Sequence, residues 1–422
     1  MDESNRTDRL PTMGHMTDLA RLLPFVAAFP HALGCGIIVR SAERIDDGLR
    51  GRLETFVREY ERTLSRFRGD STVARLAAGG RGSDGAGADG AADATGAAEA
   101  DAGVTAAFPR WTAGLFALTD RLVRATGGAI DPCVGETLVW LGYGVELGRT
   151  FRGGNTGENA GETETIDGAG TFPGPRSWDE LDAESAARPQ WDRDVRWSFR
   201  SAGDCGGEDR ATAVTLTARR PVLLDFGACG KGYLVDLLAG MMRSAGLRGP
   251  LVIDAGGDLR VEGLRDAPLR IGLEDPADAA RAVGVAEVGA GSLCASSPSR
   301  RHWAGAHHLI NALDGRPVDD VAASWAFVRH EAAFPANEAA GGPAGTDASH
   351  PHPNADAAAA ESSDAADPVR RFPTAVADGL ATALFVADPA ALRAAFPYDC
   401  ALLGADRTAR ASAGFPGTLF LH

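Results

Sequence analysis

Residues 221–236, PVLLDFGACGKGYLVD, constrain the architecture more than any other stretch of this chain. The apolar run 222–226 has the length and composition of a buried strand. Three glycines follow within six positions (Gly227, Gly230 and Gly232), and the sequence then takes up helical apolar spacing. A strand that opens through glycines into a helix N-terminus belongs to folds that layer helices on sheets. The turn also carries Lys231, the only lysine among 422 residues. Every other strongly basic side chain is arginine, so genomic composition does not account for a lysine here. Backbone N–H groups and a cation at a helix start are a common device for holding phosphate.

Charge and length narrow the function classes. A net charge of −15 argues against nucleic-acid binding by bulk electrostatics, which needs a basic stripe. No apolar run approaches the roughly 18 residues of a membrane-crossing helix, so no transmembrane segment is expected. Six cysteines (Cys35, Cys133, Cys205, Cys229, Cys294 and Cys400) are scattered, with no C-x-x-C and no histidines at metal spacing. That pattern points away from a zinc site or a disulfide framework, and towards a reducing, cytoplasmic compartment. A membrane-anchored lipoprotein is the alternative, because residues 22–34 before Cys35 faintly resemble a lipoprotein signal. Two prolines, a histidine, a long polar leader and Ala32 where leucine is usual favour a strand beginning near Leu33 instead.

Residues 1–24 read as a disordered leader and residues 25–422 as one domain. Three tracts interrupt it: 77–107 (Ala, Gly, Asp), 149–193 (Gly, Glu, Asp, Pro) and 336–370 (Ala, Asp, Pro, His). Their composition cannot bury enough apolar surface to offset the entropy of ordering, so each is expected to be an inserted mobile loop. His350 and His352 in the third tract read as part of that loop rather than as metal ligands. Between the tracts, helical spacing occurs at 48–66, 110–126, 232–245 and 378–386. Strand patterns occur at 34–39, 214–218, 222–226, 251–254, 260–262, 269–273 and 324–328. The interleaving predicts an α+β or α/β domain, and the hairpin-like neighbours favour mixed sheets over a purely parallel one.

Several segments could carry chemistry. The turn 227–233 has two residues where a P-loop needs four, and Gly232 where it needs Ser or Thr, which removes that reading. Asp378 and Thr382 are four apart, so on a helix both oxygens face one side and suit a hard cation such as Mg²⁺. By spacing alone, an N-terminal capping aspartate with a core-facing threonine is the better account. His307 and His308 precede an apolar pair and an Asp-Gly-Arg-Pro turn. Either imidazole could act as a base near neutral pH, although a structural histidine is the commoner case. Residues 254–260 (DAGGDLR) and 127–144 add two further glycine turns.

Taken in order, these segments resemble the ApbE family, the FAD:protein FMN transferases. That family shows Met-Gly-Thr, S-x-aromatic-x-x-x-S, then G-G-x-x-D-x-T-V-G with a following W-G-aromatic-G. It continues with D-x-G-x-x-x-K-G-Y-x-x-D, G-G-D, T-S-G, H-I-I-D-P-x-T-G-x-P and A-D-A-x-x-T-A. This chain has Leu33-Gly34-Cys35, Ser65-Arg66-Phe67 through Ser71, and 127–135 with 141–144. It continues with 225–236, Gly256-Gly257-Asp258, Ala295-Ser296-Ser297, 308–317 and 377–383. Eight elements in one order span the chain outside the three tracts.

The resemblance implies a two-lobed α+β fold, with mixed sheets flanked by helices and FAD bound between the lobes. It implies Mg²⁺ held by Asp378, Thr382 and the backbone oxygens of Ala228 and Ala381. Leu33, Phe67, Ala129, Ile130, Asp131, Asp225, Lys231 and Ile310 would contact FAD, with Phe67 against an aromatic ring of the cofactor. The implied reaction is transfer of FMN from FAD to a Ser or Thr hydroxyl of an acceptor flavoprotein, releasing AMP, with His308 as general base. An FAD pyrophosphatase and a non-catalytic FAD-binding protein are the alternatives. Three departures bear on this. Asn311-Ala312 replace the family's Asp-Pro, Cys35 and Cys133 replace threonines, and the third tract interrupts a usually short run.

Overall fold

The computed structural model describes residues 19–79, 103–144, 178–199, 213–299, 301–303, 306–330 and 367–420. Eight strands form one sheet, in the order Phe25–Phe29, Ile37–Ser41, Leu251–Asp254, Asp258–Glu262, Gly291–Ser296, Val321–Arg329, Asp399–Gly404 and Ala409–Ala411. Each neighbouring pair runs antiparallel. In the middle of the sheet, Leu293 lies opposite Leu259 on one side and Phe327 on the other.

Side chains alternate across such a sheet, and here both faces are covered. Cys294, Ala326, Val328 and Ile253 join the larger core with the helices. Leu293, Trp325, Phe327 and Val252 join a second core. That second core is closed by a three-stranded sheet of Leu269–Asp275, Asp278–Val288 and Gly417–Leu419. The helical layer contains Asp47–Leu64, Ala113–Ala125, the lysine helix Gly230–Ser244 and the aspartate helix Pro373–Ala383. A further three-stranded sheet pairs Ala213–Ala218 with Val104–Pro109 and Val195–Phe199. The protein is thus α+β, layered as helices, central sheet and small sheet.

The aspartate helix, PTAVADGLATA, is buried along almost its whole length between the lysine helix and the central sheet. Such a position favours small and apolar residues, and the one charged side chain it buries, Asp378, is paired with Lys231. Close approach also explains Gly232: a Cβ there would collide with the carbonyl of Thr374.

Several expectations are corrected. Residues 222–226 form no strand; Val222, Leu224 and Phe226 are buried in extended chain, and the Asp225 N–H donates to Pro132 O (2.7 Å). The apolar run reports burial in the larger core, not a ladder. The helix expected at 378–386 starts at Pro373, a proline in its first turn, so Asp378 lies in its interior rather than at its cap.

The tracts are also narrower than composition suggests. Val104–Pro109 is a strand, and Trp178–Ala187, Trp191–Asp194 and Pro368–Arg371 are helices. Trp191 is 1% exposed, and its indole N–H donates to Asp120 Oδ1 (2.6 Å). A few anchoring residues at the end of each tract are hidden when composition is averaged over the whole. The leader, too, ends packed: Leu23 is buried. Residues 1–18, most of the three tracts, and with them His350 and His352, lie outside the described residues.

One pH-dependent feature belongs to the core. His330 Nε2 lies 2.9 Å from Ser292 Oγ, which also bonds Thr374 Oγ1 (2.7 Å) at the start of the aspartate helix. Burial, and then the charge of Arg260, pushes the His330 imidazole down to about 3. Between that value and the ordinary one near 6.5, the unfolded chain binds more protons than the folded one, so this contribution is complete above 6.5 and is lost as pH falls. The stability difference between wild type and His330→Gln should therefore shrink by up to about 1.4 kcal/mol per pH unit below 6.5. Denaturant titrations of both proteins at pH 7.5, 6 and 5 measure it, and a constant difference contradicts it.

Candidate active site

The turn between residues 226 and 230 places the carbonyl of Ala228 beside the aspartate helix. Thr382 Oγ1 lies 3.4 Å from that carbonyl oxygen and 3.4 Å from Ser296 Oγ on the central sheet. One turn earlier on the same helix, Asp378 is 1% exposed and accepts the Gly232 N–H on Oδ2 (2.9 Å). Lys231 turns inward to meet it. Its ammonium is 3.1 Å from Asp378 Oδ1 and 2.6 Å from Asp258 Oδ2. Asp258 is held beneath the turn at Gly256 and Gly257, whose φ values of 68° and 105° suit glycine.

Two buried carboxylates thus share one ammonium. Burial favours the neutral amine, but Asp258 and Asp378 outweigh it and hold Lys231 charged, above the ordinary lysine value. Burial and the charge of Asp258 push the Asp378 carboxyl up to about 7. With both acids ionised the cluster carries one uncompensated negative charge, which a further cation would balance.

Above this floor opens a cavity of about 350 Å³. It is lined by ten of the thirteen residues expected at the site: Phe67, Ala129, Ile130, Asp131, Asp225, Ala228, Lys231, His308, Ile310 and Thr382. Leu33 lines an adjoining cavity of about 140 Å³, which shares Phe67, Asp225 and Lys231 with the first. Asp378 and Ala381 lie beneath the surface; the carbonyl of Ala381 accepts the Ser324 hydroxyl (2.5 Å). His308 Nδ1 is 3.4 Å from the Arg301 carbonyl, which favours the tautomer protonated at Nδ1 and leaves Nε2 as acceptor. Burial, then the charge of Arg301, keeps this imidazole well below its ordinary pKa.

Some expected contacts prove to be already engaged. Asp131 caps a 3₁₀ turn by accepting from Cys133 N–H (2.8 Å) and also accepts from Trp191 N–H (3.0 Å). Asp225 is paired with Arg66, and accepts the Gly227 N–H (2.6 Å). Asn311, where the resemblance expects aspartate, accepts from Leu313 N–H (3.0 Å) and so closes its own turn.

Sequence reasoning missed Arg66, Tyr143 and Asp258. Arg66 is 7% exposed, donates to Tyr143 O (2.8 Å), and sits over the rings of Phe67 (4.2 Å) and Tyr143 (4.7 Å). An arginine between Ser65 and Phe67 was the available signal. Asp258 ended the G-G-D turn and was legible only as a turn residue.

Among the described residues, no three His, Cys, Asp or Glu side chains group as metal ligands. The oxygens that converge are the Ala228 carbonyl and the Thr382 and Ser296 hydroxyls, while the Asp378 carboxylate, one helical turn away, is bonded to Lys231 and to the Gly232 N–H. The 3.4 Å between Ala228 O and Thr382 Oγ1 is close to the roughly 3 Å between neighbouring ligands of an octahedral ion with bonds of about 2.1 Å. Oxygen donors of this kind, with a carboxylate close by, suit a hard cation such as Mg²⁺.

The family model described as the ApbE family matches residues 33–340. This chain belongs to the ApbE family. No curated protein matches it. Among solved structures, flavin transferase ApbE from Vibrio cholerae is similar at 19% identity and a TM-score of 0.58, covering 92% of this chain and 97% of that one. The ApbE protein from Thermotoga maritima is similar at 16% identity and a TM-score of 0.57, covering 92% and 96%. Pseudomonas stutzeri flavinyl transferase ApbE, in its apo form, is similar at 18% identity and a TM-score of 0.54, covering 92% and 95%. The likeness confirms the fold over nearly the whole of each chain, and the expectation of an ApbE-like α+β domain holds.

Proposed function

We propose that this ApbE-family protein transfers FMN from FAD to a serine or threonine hydroxyl of an acceptor flavoprotein, in a Mg²⁺-dependent reaction that releases AMP. The carrying observation is that one cavity gathers a neutral histidine, an aromatic and apolar wall, and the oxygens of Ala228, Ser296 and Thr382 beside the Lys231 ammonium. Ala228 O, Thr382 Oγ1 and Asp378 would hold Mg²⁺, with the Ala381 carbonyl behind them. Bound there, the ion supplies charge neutralisation to a pyrophosphate.

The remaining work falls to the chain. Phe67, with Tyr143 beside it, gives a ring surface for a planar aromatic ligand; their centroids are 5.3 Å apart. Ala129, Ile130, Asp131, Asp225, Lys231, Ile310 and Leu33 shape the rest of the FAD cleft. His308 Nε2 accepts the proton of the acceptor hydroxyl as that oxygen attacks the FMN-side phosphorus. The P–O bond to AMP breaks, AMP carries away the bridging oxygen, and FMN stays on the acceptor as a phosphoester. Such transfer depends on alignment and charge stabilisation more than on covalent help from the protein.

The compartment is proposed to be cytoplasmic. Cleavage before Cys35 would remove Phe25–Phe29, which pairs along Ile37–Ser41, and among the described residues no helix is long and apolar enough to cross a membrane. The functional test follows AMP. Protein, FAD and Mg²⁺ should release AMP at a rate that rises sharply on adding an acceptor. Equal AMP release with and without it supports FAD hydrolysis, and no AMP in either case supports FAD binding alone.

A further inference from the structure

The aspartate helix begins without a cap of its own. Its N-cap position is Phe372, whose side chain accepts nothing, so the first N–H groups need a partner from elsewhere. Asp236, on the lysine helix, supplies it. Asp236 Oδ2 accepts from Thr374 N–H and from Ala375 N–H, both at 2.9 Å. Its other oxygen is bonded to Arg260 (2.5 Å), which in turn holds Glu262 (2.6 Å), itself paired with Arg243. Asp236 is buried, so this cap is shielded from water.

Asp236 and Gly232 are one turn apart on the lysine helix. Gly232 lets that helix close on the Thr374 backbone and donates its N–H to Asp378. The two contacts together fix the axial register of one helix against the other. That register sets Thr382 against Ala228, and Asp378 against Lys231.

We infer that Asp236 is a positioning residue for the cation site: it caps the aspartate helix in trans and so sets the spacing of the oxygens offered by Thr382, Ala228 and Asp378. The inference rests on the Mg²⁺ reading of that site. Asp236 does not touch the ion, and its effect passes through helix register.

Full-length wild type, Asp236→Asn and Asp236→Ala are compared for Mn²⁺ binding by electron paramagnetic resonance with FAD present. FAD binding without metal is measured alongside. Asparagine keeps an oxygen for the two N–H groups, whereas alanine removes it. Asp236→Ala should weaken Mn²⁺ at least tenfold with FAD affinity within threefold, and Asp236→Asn should stay within threefold for both. A folded Asp236→Ala with wild-type Mn²⁺ affinity overturns the proposal, as does Asp236→Asn losing Mn²⁺ as severely as alanine. If Asp236→Ala does not fold, amide exchange at Thr374 and Ala375 in Asp236→Asn replaces it. Retained protection with retained Mn²⁺ affinity supports the proposal, and retained protection with tenfold weaker Mn²⁺ overturns it. A wild type that binds Mn²⁺ and FAD yet forms no flavin adduct refutes the transferase reading alone.

Discussion

Asp378→Asn should lower Mg²⁺-dependent FMN transfer roughly a thousandfold while the protein stays folded. The expected loss corresponds to about 4 kcal/mol of transition-state stabilisation from a bound divalent ion. The fold should survive because the buried cluster carries two carboxylates for one lysine. Removing one charge leaves Lys231 paired with Asp258 at 2.6 Å, and asparagine can still accept the Gly232 N–H. The stability change should be small or favourable, since a buried excess charge is relieved. Parallel assays of transfer rate against Mg²⁺ concentration and of thermal unfolding separate the two effects. Transfer within tenfold of wild type would remove Asp378 from the metal assignment. Loss of folding would show instead that the cluster is chiefly structural.

His308→Ala should slow transfer by about a hundred- to ten-thousandfold, the usual range for losing a general base. FAD affinity should change by less than threefold, because the histidine lines the cavity beside many other contacts. With Nδ1 facing the Arg301 carbonyl, Nε2 is left to accept, and burial keeps the ring unprotonated. Single-turnover transfer rates and flavin fluorescence titrations check the split. A variant that loses FAD binding and transfer in proportion would make His308 a binding residue.

The candidate site was legible through the order of its motifs, whereas spacing alone favoured a capping role for Asp378. Asp378 and Thr382 share a helix face, Ala228 and Lys231 share a turn, and Gly256-Gly257 announces its left-handed backbone. The parts that were not legible depend on tertiary partners. GSLCAS, at Gly291–Ser296, shows no strand pattern in the sequence, yet it is a central strand. Both its faces are buried, and Ser292 finds its bonds on His330 and on Thr374 of a distant helix. The run 222–226 reads as a strand because burial and extension give the same pattern whether or not a ladder forms. Lys231 reads as an outward phosphate contact, and nothing nearby in sequence shows that Asp258 and Asp378 draw it inward. The helix Trp178–Ala187 was submerged in a Gly- and Glu-rich tract. Its Ser185 donates to the Asp314 carbonyl (3.2 Å), bracing the hairpin that follows His308.

Mass spectrometry of the acceptor separates FMN transfer from FAD hydrolysis and from FAD binding alone. The purified protein is incubated with FAD, Mg²⁺ and a flavoprotein bearing a candidate Ser/Thr-containing flavinylation segment. The acceptor should gain the mass of FMN less one water at a single serine or threonine, with one AMP released per adduct, and chelation of Mg²⁺ should abolish both. An unmodified acceptor alongside free FMN and AMP, or alongside intact FAD, would contradict FMN transfer.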